Sequence, residues 1–188
     1  MKTLSVAAGL LFTAGFVPYI AAILSGKAKP AKATWLVWSV VDAVILCGMY
    51  SAGDLSWQMV GCTIGTWIVA LLAMKFGTSG WTNLDKACLV LAVLGVSGWL
   101  KSGNPILGIV FSLAVVVLGC IPTFSSAWKN PSQENKPAWL MFWASCVLAT
   151  IAIPQWTLAY AAQPLVFLAI QSTMLLILYC HHRVPATT

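Results

Sequence analysis

Gly15, Pro18, Lys32, Trp35 and Leu36 return as Gly119, Pro122, Lys136, Trp139 and Leu140, each displaced by the same 104 positions without a gap. Tryptophan and proline are rare, and the spacing survives a polar loop, so the chain reads as two copies of one unit in parallel orientation. A duplicated unit creates an interface between its copies, and that interface is the first place to look for a binding site.

The surrounding sequence identifies the solvent. With 60% hydrophobic and 7% charged residues and a mean hydropathy of +0.90, the apolar surface exceeds what one soluble core can hide, so most of it must face lipid. Measured against the ~20 residues needed to cross a bilayer, the apolar stretches give seven spans, at about 4–25, 34–53, 56–75, 86–101, 104–127, 138–154 and 156–179. Lipid offers no hydrogen-bond partners, and runs without strict alternation favour helices over a barrel. Gly53-Asp54 and Pro154-Gln155 leave room only for tight hairpins. The expected fold is therefore an all-α membrane protein of seven transmembrane helices in a 3+1+3 arrangement of two parallel three-helix bundles. Residues 1–83 form the first repeat, 84–103 a linker helix that keeps the copies parallel, and 104–188 the second repeat. The first span resembles a secretory signal only superficially, because removing it would amputate one copy of the repeat.

If the spans alternate, Lys27, Lys29, Lys32, Lys75, Lys86, Lys129, Lys136 and Arg183 share one face, and the other holds only Lys2 and Lys101. The positive-inside rule makes the rich face cytoplasmic, with the N-terminus outside and the C-terminus inside, as expected in a plasma or inner membrane. The net charge of +6 then reflects orientation and lipid contact, not nucleic-acid binding. Trp57, Trp99 and Trp156 near one boundary, and Trp35, Trp81, Trp128 and Trp139 near the other, read as aromatic belts.

The duplicated Gly15-Phe16-Val17-Pro18 and Gly119-Cys120-Ile121-Pro122 match the Gly-x-x-Pro of the PQ-loop and SWEET (MtN3/saliva) transporter superfamily, and over essentially its whole length the chain resembles that group. Tyr19 and Thr123 stand where the family carries glutamine. The resemblance implies two three-helix bundles around a central path, with Pro18 and Pro122 as hinge points for rocking between inward-open and outward-open states. Some members couple transport to protons through an intramembrane acid.

Asp42 is the one acid well inside a span, while Asp54, Asp85 and Glu134 fall in connections. Trp35, Trp38 and Asp42 lie on one helix face, with Asp42 about 10 Å beyond the boundary tryptophan. No lysine or arginine occupies another span's interior. Asp42 must therefore be protonated, hydrated, hydrogen-bonded by hydroxyls such as Thr63 or Thr66, or joined by a cation. In the second copy Trp139, Trp143 and Cys146 make the matching stripe, with Cys146 at the position of Asp42. The candidate substrate-binding residues are Trp38, Asp42, Trp143, Cys146, Thr63 and Gln171, with Asp42 also the candidate for proton coupling. Gln58, Gln163, Ser172 and Thr173 are further polar residues whose plainer role is to connect helices.

The six cysteines form no close pair, so neither a zinc motif nor a disulfide framework is indicated. Cys180-His181-His182 reads as an interfacial cap in preference to a metal tract. With no histidine in a span, no second carboxylate for a dyad and no lysine in the seventh span, hydrolase, aspartyl protease and retinal readings fail. No enzyme activity, cofactor or metal is expected. The expected partners are a small-molecule solute and the lipid bilayer, with a homo-oligomer left open. The sequence thus favours a transporter of a small, neutral or weakly charged solute working by alternating access, with proton coupling through Asp42. A non-transporting receptor or assembly factor on the same fold is the alternative, and a passive channel a third.

Overall fold

The computed structural model describes residues 2–51, 53, 55–77 and 83–180, the side chains of Leu84, Asp85, Cys88, Ala92, Gly95, Val96, Trp99, Pro105 and Pro122 excepted. Trp81, His181, His182 and Arg183 lie outside the described residues, as does Asp54. Every regular element among the described residues is helical: α1 (Lys2–Leu24), α2 (Lys32–Ser51), α3 (Trp57–Phe76), α4 (Asn83–Ser102), α5 (Pro105–Lys129), α6 (Lys136–Ile151) and α7 (Leu158–Cys180), with one 3-10 turn at Pro131–Gln133.

Local chemistry sets the helix limits. Asn104 accepts from the Ile106 amide at 3.0 Å ahead of Pro105, and Asn135 accepts from the Ala138 amide at 2.9 Å ahead of α6, each satisfying a first-turn donor. After α1 the chain reverses at Gly26, whose φ of 73° places it in the left-handed region. The sixth span, expected to run to 154, stops at Ile151, because Pro154 disfavours helical backbone in the residue before it.

Five of these helices, α1, α2, α3, α5 and α7, are long and apolar enough to cross a membrane, which fits an all-α membrane protein. At 16 residues α6 is about 24 Å long, short of the hydrocarbon thickness. The charged Asp85, Lys86 and Lys101 fall within α4, which is not one of the five. The outside of the bundle is apolar too: Leu10, Val17, Leu71 and Leu176 all stand exposed. In water such a shell would be an aggregation surface; in lipid it is the solvated face. Trp57, Trp128 and Trp156 are at least half exposed, as belt residues are. Trp35 and Trp139, read from the sequence as belt residues, are instead buried in an aromatic cluster.

Helix α3 packs against both α1 and α2, and α7 against both α5 and α6; α1 meets α6, α2 meets α5, and α4 lies along α5. Two of these contacts are counterparts in the repeat. Gly15 on α1 faces the ring of Phe142 on α6, where an added Cβ would lie 2.7 Å from the ring. Gly119 on α5 faces Trp38 on α2, where an added Cβ would lie 2.9 Å from Nε1. Gly119 is 104 positions from Gly15 and Phe142 is 104 positions from Trp38, so exchanging the copies turns one contact into the other. Glycine is needed at both because only a missing side chain lets the aromatic seat against the neighbouring backbone.

Gly15→Ala is therefore expected to destabilise the protein in detergent by about 1–3 kcal/mol. Phe142→Leu should relieve much of that loss, giving a coupling of at least about 0.5 kcal/mol in a double-mutant cycle of thermal unfolding. Additive effects would show that the two residues do not press on each other.

Candidate functional site

Between the facing helices lies a central cavity of about 40 Å³, lined by Phe12, Phe16, Trp35, Trp38, Asp42, Cys62, Thr66, Val116, Trp139, Phe142, Phe167, Ile170 and Gln171. A volume of this size holds ordered water and nothing larger. The rings close on one another: Phe12 and Phe142 are 4.8 Å apart by centroid, Phe16 and Phe142 4.9 Å, and Trp35 and Trp38 5.3 Å. Trp38 donates its indole N–H to the Val116 carbonyl of α5 at 3.4 Å, which fixes the ring across the α2–α5 contact.

Asp42 is buried, with the Cys62 thiol 3.3 Å from Oδ2. Among the described residues, no basic side chain lines the cavity. Of the residues expected to bind substrate, Trp38, Asp42 and Gln171 come together on this lining; Trp143, Cys146 and Thr63 stand off it. Trp143 is turned one residue further round α6 and donates to Ser172 of α7 at 3.0 Å. Cys146 receives a bond from Gln58 at 3.3 Å, and Thr63 donates back to the Met59 carbonyl at 2.8 Å. Phe142 occupies the place assigned to Trp143, and the repeat spacing applied to Trp38 points to it directly. Phe12, Phe16 and Phe167 had no sequence signal beyond being apolar. The expected hinge Pro18 is enclosed within α1, and α5 runs through the position of Pro122.

Polar contacts bracket the cavity along the bundle axis. Towards the Lys2 end, the amide of Gln163 on α7 donates to Gln58 on α3 at 3.2 Å. Gln58 in turn donates to Ser145 on α6 at 3.1 Å, and Ser145 donates to the Ala8 carbonyl on α1 at 2.7 Å. Beyond this tie opens a cleft of about 520 Å³ lined in part by Lys2, Ser5, Ser56, Trp57, Tyr160 and Gln163. At the opposite end, Glu134 Oε2 accepts from Trp139 Nε1 at 2.8 Å and from the Tyr19 hydroxyl at 3.4 Å. The adjacent Asn135 donates to the Pro18 carbonyl at 3.3 Å. The short connection between α5 and α6 is thus strapped onto α1 beside its internal proline. A second cleft, of about 410 Å³, lies outside the strap, lined in part by Lys27, Ser132, Glu134, Asn135 and Lys136.

No protein-family model, curated protein or solved structure matches the chain.

Glu134 lies outside the membrane-spanning helices. Burial pushes its carboxyl up to about 7, against the bonds from Trp139 and Tyr19, which favour the charged form. A carboxyl that holds its proton more tightly when strapped than when free stabilises the strap at low pH. That contribution is lost as pH rises through about 7. Amide protection factors in residues 130–135 are expected to fall a few-fold, and about tenfold at most, between pH 6 and 8, because the strap is partly exposed. Glu134→Gln should flatten that dependence, and an unchanged pH profile in the variant would assign it to another group.

Proposed function

We propose that the chain is a transporter of a small, neutral or weakly charged solute, working by alternating access around the central cavity. The architecture proposed is that of the PQ-loop and SWEET superfamily: residues 1–83 and 104–188 as parallel three-helix bundles, with 84–103 as the linker helix. The observation that carries this reading is the reciprocal pair, Gly15 against Phe142 and Gly119 against Trp38, placed on either side of a cavity that holds a buried acid. The helix contacts support it as well, since α3 sits between α1 and α2 as α7 sits between α5 and α6.

In this reading the Glu134 end is cytoplasmic, in keeping with its lysines, and the Lys2 end is external. The two polar ties are the gates, and the structure corresponds to the form in which both are made. Opening at the external end requires Gln58 to leave Gln163 and Ser145; opening at the cytoplasmic end requires Glu134 and Asn135 to leave α1. Pro18 and Pro122, each lacking a backbone N–H, are the positions at which α1 and α5 bend most cheaply. Asp42 is the group through which a proton would be coupled.

Proteoliposomes loaded with the purified chain test this with a panel of radiolabelled neutral and singly charged solutes. Saturable uptake that accelerates under a pH gradient is expected, and Asp42→Asn should abolish the response to the gradient. Flux without saturation would indicate a channel, and binding without flux a receptor.

A further inference from the structure

The cavity is chemically one-sided. Seven of its lining side chains are aromatic, and their faces carry negative potential. The indole donors that could serve an anion or a carbonyl are already engaged: Trp38 with Val116 at 3.4 Å, Trp139 with Glu134 at 2.8 Å and Trp35 with the Tyr19 hydroxyl. The Thr66 hydroxyl donates to the Thr63 carbonyl at 3.1 Å. Acceptors, by contrast, are left over. Gln171 Oε1 is buried without a partner, on a residue only 7% exposed, and although the same amide brings an NH2 donor, Asp42 adds a second acceptor side chain to the lining. Against the Asp42 carboxylate, which offers about four lone-pair sites, stand only the Cys62 thiol, a weak donor, and the Thr66 hydroxyl, whose single proton is shared with the Thr63 carbonyl.

We propose that the cavity binds a small, singly charged organic cation of the alkylammonium class, held by Asp42 and the aromatic faces and exchanged for a proton on Asp42. The proposal rests on the central cavity being the solute site of the transporter described above, and it names the solute's class. A hard metal ion is a poor fit, because one carboxylate and one amide cannot replace the six or more oxygens it demands. An alkylated ammonium is weakly hydrated and is attracted by ring faces within about 6 Å of their centroids. A single positive charge paired with Asp42 leaves the occupied site neutral, the condition for burying charge in a bilayer. At about 40 Å³ the cavity must expand to admit such a ligand, so binding parts the tilted and edge-on rings of α1, α2 and α6. The exchange balances: Asp42 in its acid form releases one proton to the open side as the cation arrives, and the carboxylate and cation remain as the bound pair. Proton and solute cannot occupy Asp42 together.

The test uses the purified full chain in detergent, with choline, tetramethylammonium and 3,3-dimethylbutan-1-ol, the uncharged carbon analogue of choline. Both ammonium probes are expected to raise the unfolding temperature and the analogue is not. Titration calorimetry in buffers of different ionisation enthalpy should show release of up to one proton per choline, with affinity rising up to about tenfold per pH unit while that proton is displaced. Asp42→Asn should abolish the preference for choline over its analogue, and Asp42→Glu should retain it. If neither variant folds, the comparison of probes on the unaltered chain decides. Equal binding of choline and the analogue, or no binding of either ammonium probe, overturns the proposal. Choline binding without flux in proteoliposomes would sink the transporter reading alone; saturable flux of a neutral solute without ammonium binding would sink this one alone.

Discussion

A lipid surround cannot hydrogen-bond to protein, so the polar groups in the apolar part of this chain gain by turning inward to one another. The bonds that hold the helices together follow from that constraint. Gln58 to Gln163, Gln58 to Ser145, Ser145 to Ala8 and Trp38 to Val116 each join different helices. Leu10, Val17, Leu71 and Leu176, which make no such bonds, are the residues left facing out. The cavity is a consequence of the same sorting: polar and aromatic side chains excluded from the lipid face accumulate where the copies meet. Association between apolar helices in lipid gains little from hydrophobic burial, so close contact at Gly15 and Gly119 takes over the work that a greasy core performs in water.

Much of the fold could be read before any coordinates. The unalternating apolar runs predict seven helices whose ends fall within three residues of those observed; α4 begins three residues ahead of its apolar run, and α6 stops three residues short of its own because Pro154 disfavours helical backbone in the residue ahead of it. The site was harder. Trp38, Asp42 and Gln171 meet at the cavity because depth and helix face are local properties, computable along one helix. Trp143 carries the indole, but the repeat spacing applied to Trp38 points to Phe142, and the cavity lining follows the spacing.

The strap at Glu134 was not legible. Tyr19 lies 115 positions away in the chain, and nothing local marks a loop carboxylate as the acceptor for two aromatic donors on different helices. The burial of Trp35 and Trp139 is hidden in the sequence for the same reason. A tryptophan near a helix end is indistinguishable, in sequence, from one anchored in lipid headgroups until the partner of its N–H is known. The strap also has no twin. Glu134 and Asn135 correspond to Pro30 and Ala31, neither of which can make those bonds, and Asp42 corresponds to Cys146. The copies share a framework and differ in the groups that carry charge.

The seating of Phe142 in Gly15 and of Trp38 in Gly119 has a mechanical corollary. Each copy contributes one tooth and one notch, so the seam has two bearings instead of a single pivot. Two such seats resist sliding at the seam better than one would. Because each notch is a glycine and has nothing left to trim, the fit can be loosened only by shortening a tooth, Phe142 or Trp38.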